Sequence, residues 1–238
     1  MIKTMEQSIW VKTWDYVLDF IYPKECVGCG KEGNWLCDNC RKKIVKIKTS
    51  YCPFCRQITQ KGQFCSNCRR KTALTGIIIS AHYREGPLKE MIHAYKYDSI
   101  RALGQELAEI ICERLKNNLP SGEKIVIPIP LHSKKEKERG FNQALFLAQI
   151  ISQKLNLPLE KNTLIRTKNT KAQIKLKKKE RIKNMRRAFV CSLPQKVRGK
   201  TILLIDDVAT TGTTLNEAAK ILRKFGARQV WGVTIAQG

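Results

Sequence analysis

Apolar positions along the chain fall into runs whose period assigns them to elements. Residues 201–205, Thr-Ile-Leu-Leu-Ile, form the continuous apolar or β-branched run that a strand buried on both faces requires. Residues 229–236, Gln-Val-Trp-Gly-Val-Thr-Ile-Ala, predict a second buried strand paired beside it. Residues 76–83 and 125–130 read as further strands. Elsewhere the period is helical. Leu88, Met91, Ile92 and Tyr95 share a face over residues 86–97, and Leu103, Leu107, Ile110, Ile111 and Leu115 share one over residues 99–118. Ala144, Leu147, Ala148, Ile151 and Leu155 carry a third helix to about Asn156. Leu215, Ala218, Ala219, Leu222 and Phe225 carry a fourth, with Gly226 placed to end it. The expected fold class is α/β, with a central parallel sheet.

The first 22 residues place Ile9, Trp10, Trp14, Val17, Leu18 and Ile21 among polar neighbours, an amphipathic helix expected to pack on the body of the protein. Docking to a membrane surface or a partner is the alternative. Glu6, Lys12, Asp15 and Asp19 interrupt every apolar run there, so the segment does not read as a secretory signal. No run approaches bilayer-crossing length. The expected location is cytoplasmic, with a peripheral position at the inner face of the cytoplasmic membrane left open. The cysteines are then expected reduced rather than bridged.

Eight of the ten cysteines form four C-x-x-C pairs, Cys26/Cys29, Cys37/Cys40, Cys52/Cys55 and Cys65/Cys68. Each pair can give two thiolates to one tetrahedral ion, so four pairs serve two structural zinc ions. A segment this short buries little core, and metal binding is expected to supply its folding free energy. The spacing predicts two ribbons in sequence, 26/29/37/40 and 52/55/65/68, while an interleaved cross-brace remains open. The chain therefore divides into an N-terminal helix (1–22), a double zinc ribbon (23–72) and an α/β domain (73–238) with apolar strands of its own. Cys112 and Cys191 read as packing residues.

Charge changes the picture. The net charge is +25, which points to a polyanionic partner, nucleic acid ahead of an acidic membrane. The segment 23–72 carries twelve Lys or Arg against Glu25, Glu32 and Asp38. From residue 161 to 200 there are fifteen Lys or Arg and one acid, Glu180. A charge run is most often a solvated face. At this density we expect a groove for single-stranded DNA, with Lys171, Lys175, Lys177, Lys178, Lys179 and Arg181 as its contacts. Tyr51, Phe54, Phe64, Phe141 and Phe189 lie near basic segments and can stack on bases, or serve as core.

The motif strand 201–205 ends at two carboxylates, Asp206 and Asp207. Ala209, Thr210, Thr211, Gly212, Thr213 and Thr214 follow, and then a helix begins. Unpaired amides and the dipole of that helix favour an anion, and Gly212 permits close backbone approach. The acids would repel a phosphate and suit the paired hydroxyls of a ribose instead. The implied ligand is a sugar phosphate with free 2′ and 3′ hydroxyls. A Walker B strand is the competing reading, but no G-x-x-x-x-G-K-[ST] occurs in the chain. The string Ile202–Leu215 resembles the phosphoribosyl pyrophosphate (PRPP) motif of type I phosphoribosyltransferases. That resemblance implies PRPP, with magnesium, as the ligand.

Residues 127–143 end in Arg-Gly-Phe-Asn-Gln, and Thr170, Gln173, Leu176, Arg181, Asn184, Ala188 and Phe189 recur at T-x-x-Q-x-x-L…R-x-x-N…A-F spacing. Together these narrow the resemblance to the ComF family of competence proteins. A basic loop at the carboxyl edge of a sheet can hold a diphosphate. By the resemblance Leu131, His132, Lys134, Lys135 and Arg139 are its candidates, while Ser133 and Glu136 depart from the family pattern. The family implies a role in natural transformation, in which incoming single-stranded DNA is brought across the cytoplasmic membrane alongside a DNA-translocating helicase. Two other functions stay in view. One is an active phosphoribosyltransferase acting on a nucleobase or other amine; the other is a zinc-ribbon adaptor docking a partner ATPase. His82 and His93 read as packing or surface residues, and Lys96 as a weak candidate for a site.

Overall fold

The structure is a computed structural model that describes residues 24–83, 86–98, 100–169, 185 and 187–238. The expected N-terminal helix at 1–22 and the proposed DNA contacts Lys171, Lys175, Lys177, Lys178, Lys179 and Arg181 lie outside the described residues.

In chain order the elements are α1 (Asp38–Lys42), α2 (Ser66–Arg69), β1 (Gly76–His82), α3 (Leu88–Tyr97), α4 (Ala102–Lys116), β2 (Lys124–Pro128), α5 (Ser133–Arg139) and α6 (Gln143–Leu155). There follow β3 (Leu164–Arg166), β4 (Phe189–Cys191), β5 (Thr201–Ile205), β6 (Val208–Ala209), α7 (Thr213–Lys224) and β7 (Gln229–Gln237). The central sheet has the order β1-β7-β5-β2, all parallel, with β6 adding to β7. The motif strand β5 lies between two others: Leu203 faces Val126 on one side and Trp231 on the other. Every residue of β5 is buried, which is why its sequence shows no alternation.

Side chains still alternate between the two faces. Ile78, Leu203, Ile205, Trp231 and Val233 join α3, α4 and α6 in one core. Ile77, Ile79, Ile125, Ile127, Ile202 and Leu204 join α7, β4 and Met185 in the other. The first core is close-packed at Gly104 of α4. A Cβ there would lie 2.7 Å from the Phe146 ring of α6 and 2.9 Å from the Tyr95 ring of α3. Any larger residue would push these helices apart.

The ribbon segment is built into this body. The N–H of Ile47 donates to Ser80 O (2.9 Å) and that of His82 to Val45 O (3.0 Å), while Phe64 N–H donates to Thr75 O (3.1 Å). These bonds cover the free edge of β1, which would otherwise expose unpaired backbone groups. Cys26, Leu36, Cys40 and Ile44 belong to the first core, and Ile47, Cys52, Phe64 and Leu74 to the second. The α/β domain has the apolar strands expected of it, and each ribbon adds residues to one of the sheet's two cores. Arg41 and Lys46 pair with Glu106 and Glu113 of α4 and add charge contacts to the seam.

The basic stretch after β2 differs from the expected loop. Residues Ser133–Arg139 form α5, capped at its start by His132, whose Nδ1 accepts the Lys134 N–H (3.3 Å), and ended by Gly140 at φ 75°. The two-stranded antiparallel sheet β3–β4 was not anticipated. Three-residue strands are too short to show a period.

Candidate functional site

Two sets of residues carry chemistry. The first is the cysteines. The Sγ atoms of Cys26, Cys29, Cys37 and Cys40 lie within 4.8 Å of one another, as do those of Cys52, Cys55, Cys65 and Cys68. The ribbons are therefore sequential, and the interleaved alternative is excluded. Cys29 and Cys37 are 3.6 Å apart, and so are Cys55 and Cys65. A tetrahedral ion with Zn–S bonds of about 2.3 Å requires sulfur pairs about 3.8 Å apart, so both sets fit zinc. Charge asks for the ion as well. Burial raises the Cys26 thiol, but N–H donation from Cys37 and Gly28 more than offsets it and brings the group to about 6. Burial and the neighbouring thiols push Cys40 up to about 12. Four thiols this close cannot all ionise unless a divalent cation joins them. These are two structural zinc-ribbon sites.

The second set lines a cleft at the carboxyl end of β5. Asp206, Asp207, Ala209, Thr210, Gly212, Thr213 and Thr214 line it from the motif. Gly212 is the N-cap of α7 at φ 68°, a left-handed conformation that glycine adopts without steric cost. This turn brings the first amides of α7 to the cleft, where they can hold an anion. Thr211 is absent from the lining; its hydroxyl lies 2.8 Å from that of Thr213 and steadies the loop.

Asp207 N–H donates to Asp206 Oδ1 (2.9 Å), and Lys96 Nζ lies 3.0 Å from Asp207 Oδ1. Burial would push the Lys96 ammonium down, but Asp207 and Asp206 hold it above its ordinary value. Asp206 is in the opposite position. Burial and the Asp207 charge raise its carboxyl to about 7, despite Lys96 and the Asp207 N–H. Two carboxylates share one half-buried cation, and the second is short of positive charge.

Cations line another part of the same cleft. Leu131, Lys135 and Arg139 reach it from α5 and the turn before it, and Arg166 from the end of β3. Burial and the charges of Arg166 and Arg139 lower the Lys135 ammonium, so these groups repel one another. Burial also lowers Arg166, while Asp206 opposes the shift. Of the five diphosphate candidates, His132 and Lys134 do not line the cleft; both serve the start of α5. Asn142 fixes the far side. Its Oδ1 accepts the N–H groups of Ala144 and Leu145, and its Nδ2 donates to the O of Ile129, the residue after β2. This explains the Asn in the Phe-Asn-Gln string: it caps α6 and ties it to the strand beneath.

Sequence reasoning undervalued Lys96 and missed Arg166, Tyr97 and Gln143, which also line the cleft. Lys96 stands in the last turn of α3, and its Asp partner is 111 positions away (207 − 96). Its spacing after an apolar face was the one signal available.

Comparison with known proteins agrees with this arrangement. The double zinc ribbon domain family matches residues 17–69, and the phosphoribosyl transferase domain family matches residues 141–237. Competence protein F of Haemophilus influenzae is 33% identical over 215 residues, covering 85% of this chain and 91% of that protein. The DNA utilization protein YhgH of Escherichia coli K12 is 30% identical over 84% of this chain and 90% of its own length. Competence protein ComFC of Bacillus subtilis is 30% identical over 80% and 79% respectively. With these likenesses spanning most of its length, and with ribbons and a phosphoribosyltransferase-type motif in place, the chain belongs to the ComF family.

Proposed function

We propose that this protein holds PRPP in the cleft at the end of β5, binds single-stranded DNA on its basic surface, and assists the passage of transforming DNA across the cytoplasmic membrane beside a DNA-translocating helicase. The observation that carries the reading is the division of charge within one cleft. Asp206 and Asp207 are the acceptors for ribose hydroxyls. The amides and hydroxyls of Thr210, Gly212, Thr213 and Thr214 take the 5′-phosphate, and Lys135, Arg139 and Arg166 take the diphosphate, whose charge ends their mutual repulsion. Lys96 forms an ion pair with Asp207 at 3.0 Å and fixes its carboxylate at the cleft. The acid pair offers the hard oxygen donors that magnesium prefers, and magnesium supplies positive charge to the diphosphate and to the under-neutralised acids.

Relatives named for competence and DNA utilization, together with the charge of +25, support the DNA part. It is tested by fluorescence anisotropy with a labelled single-stranded oligonucleotide at two salt concentrations. Affinity is expected to fall steeply with salt and to show little sequence preference. Replacing Lys175, Lys177, Lys178 and Lys179 by Ala is expected to weaken binding and flatten the salt dependence. Unchanged affinity at both salts would remove the proposed groove.

The complete acid pair favours a second reading, phosphoribosyl transfer from PRPP to a nucleobase or other amine. Release of pyrophosphate with a ribosylated product, on incubation with PRPP, magnesium and a nucleobase panel, decides for transfer.

A further inference from the structure

The chain holds no Asp or Glu from residue 39 to 84, and residues 51–72 carry Arg56, Lys61, Arg69, Arg70 and Lys71. Among the described residues, Arg56, Arg69, Arg70 and Lys71 make no ion pair with a carboxylate, and all four are exposed. They surround a single four-cysteine cluster, since Arg56 N–H donates to Cys52 O and Arg69 N–H to Cys65 O. Arg69 also stands close enough to Arg223 of α7 to help lower its guanidinium, an effect led by burial. This excess of positive charge is not neutralised within the described fold.

The same ribbon exposes aromatic surface. Phe54 is 45% exposed and rests on the buried Phe64, ring centroids 4.6 Å apart, so its ring is held from below and open above. The Arg56 guanidinium lies over the Tyr51 ring at 4.7 Å, and Ile58 beside them is 76% exposed. Flat faces among unpaired cations are what successive unpaired bases and their phosphates require. A duplex keeps its base faces stacked and cannot use such rings. An acidic protein would use the cations alone.

From this we infer that the second zinc ribbon is a stacking surface for single-stranded nucleic acid, with Phe54 and the Arg56–Tyr51 pair taking bases and Arg69, Arg70 and Lys71 taking phosphates. The inference rests on the single-strand reading above and gives it contacts other than residues 171–181. The ribbon also contacts β7 and α7, which flank the cleft. Pro53 O accepts from Gln237 Nε2 (3.3 Å), and Gln237 pairs with Ala209 of the motif loop. Thr72 Oγ1 and the Ala73 N–H both donate to Asn216 Oδ1 in the first turn of α7. A strand seated here lies beside the proposed ribose-phosphate pocket.

The test uses full-length, zinc-loaded protein, labelled dT20, a 20-base-pair duplex and polyglutamate as competitors, and zinc content as the control for folding. Phe54→Ala is expected to weaken dT20 binding roughly 5- to 150-fold with an unchanged salt slope, because a stacked base is lost and no phosphate contact is. Phe54→Leu, which keeps apolar packing on Phe64, is expected to lose a similar factor, and Phe54→Trp to retain affinity. Arg69→Ala with Arg70→Ala is expected to lower the salt slope by about 1.4, at about 0.7 per phosphate contact on a single strand. If Phe54→Ala and Phe54→Leu bind dT20 like wild type with zinc intact, the ribbon is not the stacking site. Equal competition by polyglutamate or duplex overturns the inference in favour of an acidic protein or of unspecific charge. Wild type failing to bind dT20 overturns the single-strand reading itself.

Discussion

Replacing Asp206 by Asn should make the folded protein more stable while weakening its ligand binding. The Asp206 carboxyl sits at about 7 instead of its ordinary 3.8, because burial and the Asp207 charge disfavour ionisation. The folded chain holds a proton there that the unfolded chain loses near 3.8. Folded stability is thus eroded as pH rises from about 4 to about 7, and the full cost applies above that. Three units at ~1.4 kcal/mol each set a ceiling of about 4 kcal/mol at pH 8, and less than half of that at pH 5. Relaxation around a coupled acid pair reduces these, and we take about half, ~2 kcal/mol at pH 8 and under ~1 kcal/mol at pH 5. Asn keeps an Oδ1 to accept the Asp207 N–H, so the turn is conserved. For a chain of this size the gain corresponds to about 4–8 °C in Tm at pH 8. Differential scanning calorimetry of both proteins at the two pH values reads it, with zinc content matched so that the thiol sites cancel. An equal gain at both pH values, or a loss at pH 8, would show that Asp206 is not a strained carboxylate.

The remaining predictions follow from the same contacts. Lys96→Met leaves the buried Asp207 carboxylate without its cation and should cost ~3 kcal/mol, with much of it restored by adding Asp207→Asn; a double-mutant cycle by urea denaturation checks the coupling. Gly212→Ala forces a side chain into a left-handed turn with its Cβ 3.4 Å from Ile77 Cδ1, and should cost about 1–2 kcal/mol and weaken PRPP binding, read by thermal shift with and without ligand. Purified protein should hold about two zinc ions per chain by elemental analysis. Cys52→Ser should halve that and lower the Tm of the whole chain in one transition, because Cys52 lies in the core beneath α7. A separate low-temperature transition, with the main one unmoved, would mean that the ribbon folds apart from the sheet.

What could be read from sequence was whatever one local stretch determines by itself. The motif strand, its acids, the threonine loop and the following helix are contiguous, so period and chemistry coincide within residues 201–224. The cysteine knuckles are equally local, although only geometry excluded the interleaved pairing. What escaped depends on distant partners. Arg166 reaches the cleft because β3 pairs with β4 across the intervening chain, and nothing around Arg166 marks it. Residues 133–139 carry no apolar face, and their helix is set by a histidine cap and a left-handed glycine instead of a period. The ribbons were expected to bury little core because their apolar residues are few. Those few, Leu36, Ile44, Ile47 and Phe64, are the ones that close the sheet's two cores.

The central claim is that the cleft at the end of β5 binds PRPP through its acid pair. Isothermal titration calorimetry with PRPP and magnesium measures this directly, on wild type and on the Asp206→Ala, Asp207→Ala double variant. Wild type is expected to show one site per chain and the variant a loss of at least roughly tenfold, since each charged hydrogen bond contributes about 1.5–3 kcal/mol. Equal affinity in the two proteins, with the variant folded, would contradict it.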